Sequence, residues 1–258
     1  MATLDPRQIK LHLPSPHDGE ALDQDEEWCE VEIGGERRRI RFHDYASIYD
    51  VPGLYERLFS ELLECCSPAV VCELLSEELD QAGTDPGTLT ALDFGAGNGM
   101  VGERLARIGL GTIVGIDLLP EARAAAARDR PAVYDDYRVL DLTALRAADR
   151  AELERHGFDC LVCVAALGFG DVPPTAFAEA FNLVASSGWL AFNLRQRFLH
   201  DDDPAGFGAL IERMLAGGVI EQRARTCYTH RISVSGKPLD YVAIVATKHR
   251  DVPSSWVR

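Results

Sequence analysis

The stretch Leu89-Thr-Ala-Leu-Asp-Phe-Gly-Ala-Gly-Asn-Gly-Met-Val-Gly102, followed by Ile113-Val-Gly-Ile-Asp117, decides the fold. An apolar run ends at Asp93, turns through Gly95, Gly97 and Gly99, and opens into a helical pattern over 101–108. That order predicts a buried strand, a tight turn with exposed backbone, and a helix N-terminus. Glycine suits such a turn because it takes positive φ and lets a ligand approach the backbone closely. Asp117 closes a second apolar run, where a carboxylate can accept hydrogen bonds from both hydroxyls of a ribose. The pattern predicts a nucleoside-cofactor site on an α/β fold.

Gly97-x-Gly99-x-x-Gly102 also spells the dinucleotide fingerprint, so the glycines alone leave a nicotinamide oxidoreductase open. The wider spacing Asp93-x-Gly95-x-Gly97-x-Gly99 resembles motif I of the class I S-adenosylmethionine-dependent methyltransferases. In that family the acid at this strand end helps hold the methionine part of the cofactor. A carboxylate suits a cationic ammonium and sulfonium, whereas a pyrophosphate needs uncompensated N–H donors.

The rest of the chain extends the resemblance over residues 43–248. Segments 133–140, 158–164 and 189–194 read as further strands, with helices predicted over 121–128, 145–156, 174–185 and 204–215. Segments 219–234 and 239–247, joined by Ser235-Gly-Lys-Pro238, read as a closing hairpin. Alternating strands and helices imply a mostly parallel sheet with helices on both faces. The resemblance implies a Rossmann-like sheet of seven strands ending in an antiparallel hairpin. It assigns Asp117 and Leu118 to the ribose, Asp141 and Leu142 to the adenine, and Val164-Ala165 to the strand exit beside the cofactor. Asp93, Gly95, Ala96, Gly97, Asn98 and Gly99 complete the expected contacts. More narrowly, Tyr49-Asp50, the 158–167 segment with Val172-Pro173, and Gly188-Trp-Leu-Ala resemble a small-molecule-type group that includes the methyltransferase-like protein of the Williams–Beuren region.

Three parts are expected: an acidic mobile tail over 1–27, a hairpin and helical cap over 28–80, and the cofactor-binding domain over 81–258. The tail holds seven Asp/Glu against Arg7 and Lys10. The hairpin has alternating runs flanking Gly34-Gly35, and its Arg37-Arg38-Arg39 run reads as a charged strand edge. A helical stretch then runs to about Leu79. In it Tyr45 and Tyr49 share a face and are predicted to form a lid over the cofactor.

For catalysis the candidates are Tyr49 as a lid residue, His43, and Arg195 as an anchor for an acidic acceptor. Asn193, Tyr228 and His230 are expected near the same rim of the sheet. The expected activity is methyl transfer from S-adenosylmethionine to a small molecule, giving S-adenosylhomocysteine. The alternative is a cofactor-binding sensor or partner-binding module on the same fold. Asn/Asp-Pro-Pro-Tyr/Phe, the signature of amino-methylating enzymes on adenine or glutamine amides, is absent from the strand-four exit, which reads Ala165-Ala-Leu-Gly168.

Net charge of −15, from 41 acidic and 26 basic residues, argues against a nucleic-acid partner. The longest apolar run, 161–169, is too short to span a bilayer. Seven cysteines without an apolar leader fit reduced thiols in the cytoplasm. No metal is expected: Cys160 and Cys163 face opposite sides of a strand and read as core.

Overall fold

The computed structural model describes residues 9–257 apart from 21, 200–202, 204 and 205. An N-terminal antiparallel sheet comprises β1 (Lys10–His12), β2 (Trp28–Ile33) and β3 (Glu36–Arg41), in that order, with α1 (Pro16–Gly19) after β1. Next come α2 (Tyr45–Tyr49), a π-helix (Glu56–Leu62) and α3 (Ser67–Ala82). The α/β half follows as β4 (Thr90–Phe94), α4 (Met100–Ile108), β5 (Thr112–Asp117), α5 (Pro120–Asp129), β6 (Asp136–Val139) and α6 (Ala147–Glu154). It continues through β7 (Cys160–Cys163), α7 (Pro174–Asn182), β8 (Trp189–Arg195) and α8 (Phe207–Ala216) to β9 (Ile220–Ile232) and β10 (Pro238–Lys248).

The large sheet has seven strands in the order β6-β5-β4-β7-β8-β10-β9. Pairings are parallel from β6 to β8, and β10 runs antiparallel to β8 and β9. The expected α/β architecture with its closing hairpin is therefore present. The order in which strands are laid down reverses between β4 and β7, the switch point outside which α/β sheets bind ligands.

The period of two that marks a strand sorts the core onto two faces. Leu92, Leu161, Cys163, Phe192 and Ile244 pack on one side with Phe177 and Phe181 of α7. Ala91, Cys160, Val162, Ala191 and Val245 pack on the other with Val71 and Leu75 of α3 and Leu105 of α4. Cys160 and Cys163 thus lie on opposite faces, both fully buried.

Three expectations need correction. From Ile9 onward the segment read as a mobile tail is packed, its first eight residues lying outside the described part. Lys10, Leu11 and His12 pair with Glu32, Val31 and Glu30 of β2, and Ile9 is buried. Its acidic residues found partners that composition does not reveal: Glu27 is 1% exposed and ion-paired to Arg231. The continuous helix expected to about Leu79 is broken at 63–66. Pro68 sits in the first turn of α3, because proline has no N–H to continue a preceding helix. The third strand is shorter than 133–140, which leaves Tyr134 in the loop before β6. For the expected helix 204–215, residues 204 and 205 lie outside the described part, and α8 begins at Phe207.

The hairpin forms as read, with Gly34 and Gly35 at φ of +61° and +88°. Arg37 and Arg39 pair with Glu30, and the Arg39 guanidinium lies 3.7 Å from the Trp28 ring centre on the exposed edge strand. A separate core of Val31, Ile40, Phe42, Ile48, Leu54 and Leu58, closed by Val234 beyond β9, binds the N-terminal elements to the sheet rim.

Candidate active site

The glycine turn is fixed from three sides. Gly95 N–H and Ala96 N–H donate to the Ile116 carbonyl of β5, at 2.9 and 3.1 Å. Asp117 Oδ2 accepts from Gly97 N–H and its Oδ1 from Leu119 N–H, both at 2.9 Å. Behind the turn, Tyr137 donates to the Gly97 carbonyl at 2.8 Å. At Gly97 φ is +54°, and a β-carbon there would lie 2.5 Å from the Tyr49 hydroxyl. Only glycine meets both constraints.

Asp93 stands at the end of β4. It is fully buried beneath the turn, and its Oδ2 accepts from the Tyr134 hydroxyl at 2.7 Å, while Oδ1 has no partner among the described residues. Burial pushes its carboxyl up to about 7, against the Tyr134 hydrogen bond and with the Asp117 charge adding to the rise. It braces the turn and does not reach the cavity. Gly99 likewise stands back from the cavity: it opens α4 at φ +88° against Tyr134 and Arg130.

Above the turn lies a cavity of about 360 Å³, within the range of small-molecule sites. Gly95, Asp117, Leu118, Asp141, Leu142, Val164 and Ala165 line it. Asp141 Oδ1 is held by the backbone and hydroxyl of Thr143, at 2.8 and 2.6 Å, which keeps this carboxyl below its ordinary range. Burial raises the Asp117 carboxyl, opposed by its backbone N–H donors. A smaller cavity of about 30 Å³ continues past Tyr49, lined by Ala96, Gly97, Asn98, Met100 and Ser60.

Tyr45 and Tyr49 line the main cavity. Their rings stack 6.2 Å apart, and Tyr49 stacks on Tyr55 at 5.2 Å. Tyr49 packs on Ala122 and Ala125 of α5, small side chains that let the ring approach closely. Its carbonyl accepts from Arg128 at 3.1 Å. Arg130 ties the π-helix to the turn, donating to Glu56 at 2.7 Å and to the Asn98 carbonyl at 3.2 Å.

His43 stands at the edge of the main cavity. Its Nδ1 lies 2.7 Å from Asp171 Oδ2, in the loop after β7. A carboxylate only accepts, so Nδ1 carries a proton, and in the neutral ring Nε2 is the acceptor. A third chamber of about 40 Å³ lies beyond, and His43, Tyr45, Tyr55, Ala165, Ala166 and Asp171 border both spaces.

Asn193, Tyr228 and His230 are brought together as expected, joined by the unforeseen Ser67. Asn193 Nδ2 donates to Tyr228 at 2.7 Å and to Ser67 at 3.0 Å, while its Oδ1 accepts from Ala165 N–H at 2.7 Å. Ser67 also contacts the Tyr228 hydroxyl at 2.6 Å and His230 Nδ1 at 2.5 Å. One arrangement gives every proton a partner: Tyr228 donates to Ser67, and Ser67 donates to His230 Nδ1. Burial drives the His230 imidazole down to about 3, so the ring is neutral and its proton is on Nε2. This network fixes the strand-four exit, where Ala165 sits at φ +55°.

Arg195 lines none of the three spaces. Its guanidinium lies 5.9 Å from the Phe169 ring centre, and its Nη1 is buried without a hydrogen-bond partner among the described residues. Besides Ser67, three contributors escaped the sequence reading. Asp171 sits in a loop read only as a connection, Tyr55 lies beyond the two paired tyrosines, and Gln24 belongs to the presumed tail. The described residues contain no group of three His, Cys, Asp or Glu able to hold a metal ion. No helix among them is long and apolar enough to cross a membrane.

Residues 92–192 match a family model described as a methyltransferase domain. A ubiquinone biosynthesis O-methyltransferase from Burkholderia ambifaria is 33% identical over 129 residues, 50% of this chain and 54% of that protein. One of the same name from Neisseria meningitidis is 28% identical over 102 residues, 40% and 42% of the two chains. The chain therefore spans about half the length of the curated relatives it matches. Among solved structures, an S-adenosylmethionine-dependent methyltransferase from Anabaena variabilis superposes with a TM-score of 0.54 at 15% identity, covering 82% of this chain and 96% of that one. One from Clostridium acetobutylicum gives 0.51 at 13% identity, covering 76% and 96%. Residues 92–192 are therefore similar to methyltransferase domains, and the α/β half shares the fold of these solved neighbours.

Proposed function

We propose that the protein transfers a methyl group from S-adenosylmethionine to an oxygen of a small-molecule acceptor, with His43 as general base. The observation that carries this reading is the His43–Asp171 pair at the boundary between the main cavity and the chamber beyond it. The residues present fit the cofactor. Asp117 retains lone pairs for ribose hydroxyls, Leu118 and Leu142 offer apolar surface to an adenine, and the glycine turn opens toward the remaining tail. When bound, S-adenosylmethionine supplies the methyl carbon, the electrons of its carbon–sulfur bond staying on sulfur as the acceptor oxygen takes the methyl.

The chain's own residues do the rest. His43 Nε2 takes the hydroxyl proton, and Asp171 fixes the tautomer and stabilises the resulting imidazolium. Tyr45, Tyr49 and Tyr55 exclude water, which strengthens the electrostatics within. Alignment under this roof supplies much of the acceleration. The two relatives described above are named O-methyltransferases, which supports an oxygen acceptor. The acidic balance of the chain supports a small molecule rather than a nucleic acid, and the free thiols fit the cytoplasm.

Radiolabelled methyl transfer into a metabolite extract, with calorimetry on S-adenosylhomocysteine, tests the reading. Wild type and His43→Gln should bind S-adenosylhomocysteine equally. Transfer should fall by about a hundredfold or more in the variant, the range of general-base contributions. Equal transfer by the variant removes His43 from the mechanism.

A further inference from the structure

We propose that the chamber behind His43 is the acceptor's recognition site, and that Gln24 and His230 there read a neutral head group that both donates and accepts hydrogen bonds, of the carboxamide or hydroxyl kind. The identification with the acceptor rests on the methyl-transfer reading above; the ligand chemistry rests on the chamber itself.

Gln24 lines this chamber and is 7% exposed. Its Nε2 donates to the Tyr241 hydroxyl at 2.9 Å, and its Oε1 has no partner among the described residues. A buried acceptor left unpaired is costly, and a guest donor would relieve it once the amide turns toward the chamber. His230 lines the same chamber, its ring 4.2 Å from that of Tyr241. Because Nδ1 is committed to Ser67, the other nitrogen is the N–H donor this ring has left to offer. One acceptor and one donor thus flank the Tyr241 ring.

Charge argues for a neutral guest. Arg231 also lines the chamber, but its guanidinium is paired with buried Glu27. The Asp171 carboxylate lines it too and repels an anion. The chamber of about 40 Å³ holds roughly three water-sized groups. That suits a head group of a few heavy atoms, whose body emerges between Tyr45 and Ala165 toward the main cavity.

The isosteric pair acetamide and acetate separates these chemistries. Saturation-transfer NMR on the full chain with S-adenosylhomocysteine should detect acetamide, with acetate weaker by about tenfold or more. Gln24→Leu should weaken acetamide by a similar factor while S-adenosylhomocysteine binds as before. Gln24→Glu, which keeps an acceptor oxygen, should retain acetamide and serves as the control if the leucine variant unfolds. Acetamide that binds Gln24→Leu as well as wild type, or fails to bind wild type, overturns the proposal. Acetate binding as tightly as acetamide overturns the neutral assignment. If S-adenosylhomocysteine does not bind, the methyl-transfer reading is what fails, and the acetamide arm run without it still tests the chamber.

Discussion

Asp93 carries its consequence in pH. Its carboxyl has an ordinary value of 3.8 and is raised to about 7 in the folded chain, chiefly by burial. Between those values the native state binds more protons than the unfolded chain, so stability falls as pH rises. The contribution of the neutral acid is fully present below about pH 4 and lost as pH passes about 7. An asparagine in its place would mimic that neutral acid, its amide oxygen still accepting from Tyr134. Relative to wild type, Asp93→Asn should therefore gain stability between pH 4 and pH 8, by as much as about 4 kcal/mol, since a pKa difference of one is worth about 1.36 kcal/mol. Urea unfolding of both proteins across that range measures it. A stability difference that stays flat with pH would show that Asp93 is ionised in the folded chain. The same comparison distinguishes bracing from cofactor contact, because a brace leaves S-adenosylhomocysteine affinity nearly unchanged in the folded variant.

The lid shows how local signals become an element and where they stop. Tyr49 separates the main cavity from the smaller one over Asn98 and Met100, its hydroxyl poised above Gly97. A cofactor reaching from Asp117 to the glycine turn must meet this ring. Tyr49→Phe keeps the ring stack with Tyr45 and Tyr55, so thermal stability should hold. Affinity for S-adenosylhomocysteine or turnover should drop, and hydrogen exchange across 43–54 should slow when the ligand is added. Exchange indifferent to ligand, together with normal binding by the variant, would reduce both tyrosines to packing. The spacing of Tyr45 and Tyr49 made this face legible, as period two made the buried strands legible and Gly34-Gly35 the hairpin. What stayed hidden depends on contacts distant along the chain. His43 meets Asp171 across 128 residues, and nothing in either segment marks the pair. Ser67 joins His230 across 163 residues, so its role is invisible in the sequence that opens α3. The break before α3 has one local mark, Pro68 in its first turn.

The N-terminal segment joins the whole molecule through one buried charge pair. Glu27 Oε2 contacts Arg231, Glu27 Oε1 accepts from Val234 N–H at 2.6 Å, and Arg231 Nη1 donates to the Ile232 carbonyl at 2.9 Å. The two side chains are 1% and 3% exposed, so salt screens them little. The pair fastens the chain before β2 to the end of β9, 204 residues away, and so holds Gln24 against Tyr241. Such a pair stabilises little over an apolar replacement of similar shape, because both charges lose their hydration. Removing one partner is another matter. Glu27→Gln leaves a guanidinium buried beside Phe42 with its counter-charge gone, and should cost about 3–5 kcal/mol. Glu27→Leu combined with Arg231→Met removes both charges and should recover most of that loss. Chemical denaturation of wild type, Glu27→Leu, Arg231→Met and the double variant closes the cycle. A double variant whose loss equals the sum of the single losses would mean the two charges act independently.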